Sequence, residues 1–360
     1  MIGQRVTTRR LLSWACVVIL GATFGAAVVR ADDFGGSSSG GGNDPPPPNP
    51  PCNSCPCTGP GGGGNGGGGG PGNSNSPPPA QGGKPVSFFN GAEETTLTDL
   101  IVSGVFPILI QRKFDSRSTF DSPLGYGWAF MHERRLYQYP DNSVLVRHGC
   151  GTRDRYVLSG GAFVTPAGSM LATLSEEPDG SFRLKYLDGV TDTFDSQGRL
   201  TVVTDAQGNR LEYSYDSRGK LPLIGSSNES LTPTQPTAVA YNYRLTRIDV
   251  RGADGVLTGR YVTFGYDEST GRLTSVAADD GRTVTYEHDV TQSLTLGNLT
   301  QVNGLEGVVA TYAYANPADP HNLTSITPAQ GRAPIVNTYD DQDRVTRQVE
   351  GTRQMDIVYN

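Results

Sequence analysis

The sequence predicts an all-β chain whose second half is a run of tandem β-hairpin repeats. Three observations carry this. The tetrapeptide Leu-Thr-x-(Val/Ile) recurs at Leu200, Leu245, Leu273, Leu299 and Leu323, with weaker copies at Leu221-Pro222-Leu223-Ile224 and Val345-Thr346-Arg347-Gln348. An aromatic alternation precedes most copies, as in Tyr213-Ser214-Tyr215, Phe264-Gly265-Tyr266 and Tyr312-Ala313-Tyr314. A turn signal, Asp-x-x-Gly, follows at Asp195, Asp205 and Asp216, 10 and 11 residues apart. A helical repeat would show a 3.6-residue apolar period over ten or more residues, and no segment here does.

In chain order, residues 1–31 read as an export segment. Arg5, Arg9 and Arg10 form a positive start, Leu11 to Val29 is mostly apolar, and small residues around Ala27 and Ala31 offer cleavage sites. Thr8-Arg9-Arg10-Leu11-Leu12 resembles a twin-arginine signal. An uncleaved anchor is the alternative, since about 19 apolar residues can just span a bilayer. Either way the rest of the chain is expected outside the cytoplasm, secreted or at the cell surface. Removing residues 1–31 takes four Arg from 29 Lys+Arg and none from 36 Asp+Glu, so 25 − 36 leaves a net charge of −11. That balance argues against nucleic acid as a partner, because phosphate binding needs a basic face.

Residues 32–84 hold 18 Gly and 12 Pro among 53 positions. Such a segment cannot bury enough apolar surface to offset its ordering entropy, so it predicts a disordered tether with an end-to-end distance of roughly 40 Å. Within it Cys52, Cys55 and Cys57 form PCNSCPCTG. A zinc site needs four ligands, and no His or fourth Cys lies nearby, so metal is the weaker reading. Together with Cys150 these thiols allow disulfides in three pairings or crosslinks between chains, although Cys150 reads equally well as a small buried thiol.

Residues 85–190 predict a small β domain. Tyr139-Pro140-Asp141-Asn142-Ser143 is a hairpin turn, and Gly160-Gly161, Asp179-Gly180 and Asp188-Gly189 mark three more. Tyr126 and Trp128 are the candidate ligand-stacking residues, as a platform for sugars. The competing reading places Trp128 in the core, with neighbouring glycines letting backbones approach.

Residues 191–360 carry the repeats. In Leu211-Glu212-Tyr213-Ser214-Tyr215 the apolar residues fall on one face and the polar ones on the other, as in a half-buried strand. Asp bonds back to the turn backbone and Gly takes the positive φ, closing each hairpin. Leu and Val in the tetrapeptide stand three apart, whereas a flat strand puts like residues two or four apart. A bulge or a strong twist is therefore expected there.

Phe264-Gly265-Tyr266-Asp267-Glu268-Ser269-Thr270-Gly271-Arg272-Leu273-Thr274-Ser275-Val276 resembles the YD repeat of RHS (rearrangement hotspot) proteins. Two copies depart from that pattern: Glu287-His288-Asp289 with a long connection to Leu299, and Tyr241-Asn242-Tyr243-Arg244-Leu245, which lacks its turn. Pro107 to Ser118, with Ser122 to Trp128, is similar to the small domain that opens RHS repeat regions. The resemblance implies a spiralling sheet or shell around a C-terminal toxin or effector, completed by further chain or by a second polypeptide. It also implies that such chains run on past a point like Met355 to Asn360, where this one stops with its last strand edge uncovered.

No Gly-x-Ser-x-Gly elbow, His-Glu-x-x-His helix or Gly-Lys-Ser/Thr phosphate loop is present. No catalytic residue, cofactor or metal is therefore expected. Asp340-Asp341-Gln342-Asp343 suggests calcium, but it occupies the turn position of the repeat. Asn298-Leu299-Thr300 and Asn322-Leu323-Thr324 match glycosylation sequons as by-products of the Leu-Thr repeat. The expected function is that of an exported, non-catalytic scaffold. A tethered module binding cell-surface glycan or mediating adhesion is the alternative.

Overall fold

A computed structural model describes residues 86, 91–118, 120–166, 172–216, 243–289, 297–329 and 331–359, together with two backbone strands at 17–20 and 27–28. Among them there is no helix.

The first part of the described chain folds as an insert of nine short strands. They are β1 (Glu94–Val102), β2 (Ile108–Asp115), β3 (Asp121–Ser122), β4 (Gly125–Tyr126), β5 (Trp128–Phe130), β6 (Arg135–Gln138), β7 (Val144–Arg147), β8 (Arg153–Ser159) and β9 (Ala162–Val164). They form a three-stranded sheet β1-β2-β5, the hairpin β3-β4, and a four-stranded sheet in the order β9-β8-β7-β6.

From Thr173 the chain runs as one antiparallel meander in which every strand pairs with its successor. Its strands are β10 (Thr173–Glu176), β11 (Phe182–Lys185), β12 (Thr191–Phe194), β13 (Leu200–Thr204), β14 (Arg210–Asp216), β15 (Arg244–Arg251), β16 (Leu257–Tyr266) and β17 (Leu273–Ala278). It continues through β18 (Thr283–His288), β19 (Leu299–Gly304), β20 (Gly307–Ala313), β21 (Ser325–Pro328), β22 (Ile335–Tyr339), β23 (Val345–Glu350) and β24 (Arg353–Val358). Among the described residues no pairing joins β10 to the far end, so the sheet is open rather than a barrel. Past β24 it is extended by Val17–Leu20 and then Ala27–Val28, so the edge expected to be bare is paired.

The meander begins at Thr173. β14 pairs directly with β15, and the weak copy at Leu221 lies outside the described residues.

The three-residue spacing of Leu-Thr-x-Val is a bulge. Phe194 faces Leu200 while Thr193 faces Val202, so Thr201 is the extra residue. The same slip leaves Thr246, Thr274, Thr300 and Thr346 extra on β15, β17, β19 and β23. The bulge turns both Leu and Val inward: Leu200, Val203, Leu273, Val276, Leu299 and Val302 are fully buried. It also frees the Thr hydroxyl to donate to the strand before it, from Thr201 to Thr193 O (3.1 Å), Thr246 to Ser214 O (3.0 Å), Thr300 to Glu287 O (3.1 Å) and Thr346 to Thr338 O (3.2 Å).

The second Tyr of each aromatic pair closes its own hairpin. Its hydroxyl donates to the carbonyl of the leading residue, in Tyr215–Leu200 (2.8 Å), Tyr266–Leu245 (2.9 Å), Tyr314–Leu299 (3.0 Å), Tyr339–Leu323 (2.8 Å) and Tyr359–Val345 (2.7 Å). An Arg just before the tetrapeptide lies over that ring in three hairpins, Arg199 on Tyr215, Arg244 on Tyr266 and Arg344 on Tyr359.

The turns follow the expected chemistry. Asp195 Oδ1 accepts from the amides of Gln197 and Arg199 while Oδ2 takes Arg199 Nε. Asp340 does the same with Gln342 and Arg344, which makes Asp340 to Asp343 a turn.

Candidate functional site

The face of the meander into which Leu and Val point is covered by the insert, and one continuous apolar cluster runs through both. Trp128, Phe130, Phe114 and Leu136 from the insert belong to it alongside Val203, Ile248, Val276 and Val302 from the sheet. Polar residues cross this seam at regular intervals.

The first residue of each aromatic pair is the one that reaches the insert. Tyr213 OH meets His132 Nδ1 at 2.9 Å, and Phe264 packs edge-on against Phe130. Tyr286 donates to Asp99 Oδ2 at 3.0 Å, and Tyr312 OH accepts from Arg112 Nη1 at 2.7 Å. In the following hairpin, β21–β22, Asn337 holds this position and its amide meets Glu93. A single register of the repeat therefore presents a hydroxyl, a ring, two hydroxyls and an amide to five different insert residues.

Where a copy departs from the repeat pattern, its side chains turn to the insert. His288 stands where the other hairpins have the closing Tyr, and its Nε2 lies 3.2 Å from Leu124 O. Arg272, with no Tyr ring to cover, grips Asp121 through Nη2–Oδ2 at 3.0 Å and Ser122 O at 2.6 Å. Arg272 is 2% exposed and Asp121 5%. Burial pushes the Asp121 carboxyl up in spite of the guanidinium, so desolvation outweighs attraction at this pair. Nearer the start of the sheet, Arg134 Nη1 reaches Asp192 at 2.6 and 2.7 Å. Backbone joins in: Leu136 N bonds Gly198 O (3.0 Å), Leu273 N bonds Pro123 O (2.8 Å) and Val345 N bonds Gly91 O (2.9 Å).

Trp128 is 1% exposed, with Arg112 4.8 Å from its ring centroid and Nε1 donating to Tyr314 OH at 3.0 Å. It presents no face to a sugar, which corrects the stacking-platform reading. Tyr126 is half-buried, and its ring already stacks on His321 at 4.0 Å. Cys150 is disulfide-bonded and buried, whereas Cys52, Cys55 and Cys57 lie outside the described residues. His148 stays within the insert, with Nε2 3.0 Å from Asp154. The two sequon amides are committed, Asn298 Nδ2 to Pro320 O at 2.8 Å and Asn322 Nδ2 to Asp343 Oδ1 at 3.1 Å. Sequence reasoning flagged His288 as a departure but missed Asp99, Arg112, Asp121 and Glu93, whose partners across the seam lie 151 to 246 residues away.

Residues 83–156 match the model of a domain of unknown function (DUF6531), and residues 194–227 match that of the RHS Repeat. No curated protein matches the chain. Among solved structures, the N-terminal domain of effector protein SpvB from Salmonella typhimurium is similar at 11% identity and a TM-score of 0.35. That match covers 68% of this chain and 99% of that one. A porin-like protein from Bacteroides uniformis is similar at 11% identity and a TM-score of 0.28, over 74% and 97%. Likenesses this slight carry no argument.

Proposed function

We propose that this RHS-repeat chain is an exported, non-catalytic scaffold, the N-terminal part of a shell that encloses or delivers a C-terminal toxin or effector between cells. One observation carries the reading. The bulge threonine and the closing tyrosine recur from hairpin to hairpin, so the sheet can be lengthened strand by strand without new chemistry. An insert seated on the inward face suits a wall with an inside and an outside. Loss of residues 1–31 on export would release the edge of β24 for another strand, from this polypeptide or a second one.

The test is protease protection. The full reading frame is expressed, and any segment following the repeats is assayed for resistance to a protease that digests it when it is made alone. Protection supports enclosure, and digestion at the rate of the free segment overturns it. Saturable heat on titrating cell-wall glycans into the purified chain would favour a tethered glycan-binding module instead.

A further inference from the structure

Three of the four histidines, His132, His288 and His321, sit on the seam between insert and sheet. His132 belongs to the insert and lies between Tyr213 OH of the sheet (2.9 Å) and its own Leu109 O (3.0 Å). His288 belongs to the sheet and reaches Leu124 O of the insert. His321, also on the sheet side, stacks on Tyr126 of the insert while Nδ1 lies 2.9 Å from Asn298 Oδ1. Each ring thus bridges the two bodies.

We propose that the seam is an acid-sensitive latch, opened when these three histidines take up protons, which unseats the insert and bares the inward apolar face of the sheet. The surroundings hold the rings neutral. Arg134 faces His132, whose burial lowers it to about 3. Arg272 faces His288, which burial lowers to about 4, although Asp267 pulls the other way. His321 is lowered by burial and by Arg272 against Asp319. Asp121 and Glu133, carboxyls raised by burial at the same seam, oppose the histidines, because their protonation favours the seated state.

The sign follows from linkage. A His lowered in the seated state and ordinary (6.5) in the open state leaves seating intact above pH 6.5, and weakens it about tenfold for each pH unit below. Down to pH 4 that amounts to roughly 300-fold for His132 and about half that for His288, or about 5 × 10⁴ together. The window of opening is therefore pH 6.5 to about 4.

Trp128 lies in the seam and Trp14 is the one other Trp, so the full chain carrying Trp14→Phe gives a single-site reporter. Its emission and the far-UV circular dichroism are followed from pH 7.5 to 3.5. A red shift of Trp128 inside the window, with the β signal retained, is expected. His288→Tyr restores the residue found at 215, 266, 314, 339 and 359. Combined with His321→Gln, it is expected to lower the midpoint by about one pH unit. His132→Gln, which keeps a hydrogen-bonding group beside Tyr213, should lower it further. An emission midpoint unmoved in the double variant, or emission and β signal lost together at one pH, overturns the latch.

Discussion

The pair Arg272–Asp121 offers the sharpest test of how the insert is held. Asp121→Leu removes both carboxylate contacts from a guanidinium that is 2% exposed. Breaking one side of a buried pair costs about 3–5 kcal/mol, because the other charge stays buried. For a body of this size, roughly 2–4 °C per kcal/mol translates that into a fall in Tm of about 6–20 °C. Arg272→Met should cost a similar amount. The double variant Asp121→Leu with Arg272→Met behaves differently, because it removes two desolvation penalties along with one attraction. It is expected within about 1 kcal/mol of the parent, a coupling of several kcal/mol. The assay is a urea midpoint for all four proteins at pH 7, with the slope checked for constancy. Single variants within 1 kcal/mol of the parent, or single costs that simply add in the double, would refute the claim that this pair spans the seam.

Tyr266→Phe removes the hydroxyl that closes its hairpin on Leu245 O and should cost about 1–2 kcal/mol by the same urea titration. Gly198→Ala combines φ +77° with a Cβ placed 1.9 Å from Leu136 O, whereas Gly281→Ala has φ +85° and open space. The second should cost about 1–2 kcal/mol and the first clearly more, since the insert backbone must also move. Ser269 and Thr270 lower the Asp267 carboxyl to about 2, so the stability it contributes is present above pH 3.8 and lost as pH falls through 2. Because the group is exposed, Asp267→Ala should cost no more than about 1 kcal/mol at pH 7 and nothing at pH 2, read from paired thermal melts.

Much of the sheet was legible because its rules are local. A bulge or a strong twist could be anticipated from a Leu and a Val three apart, and the pairing register settles on the bulge. The turns could be read from Asp195 and Asp340, whose partners lie two and four residues on. What stayed hidden is the match between insert and sheet. Arg112 finds Tyr312 across 200 residues and Trp128 finds Tyr314 across 186. Nothing within one strand says which face of an Arg or a Trp will be covered.

The stitching of the meander has a direction. Each closing Tyr needs only its own hairpin, and each bulge Thr needs only the strand made before it. A hairpin therefore asks nothing of the chain that follows. A polypeptide crossing a membrane amino end first could set its rows in order of arrival, like courses of brick on those already laid, with the insert arriving first as the form they are built against. The finished wall would never wait on its unfinished end, and only the newest row would stand open at any moment.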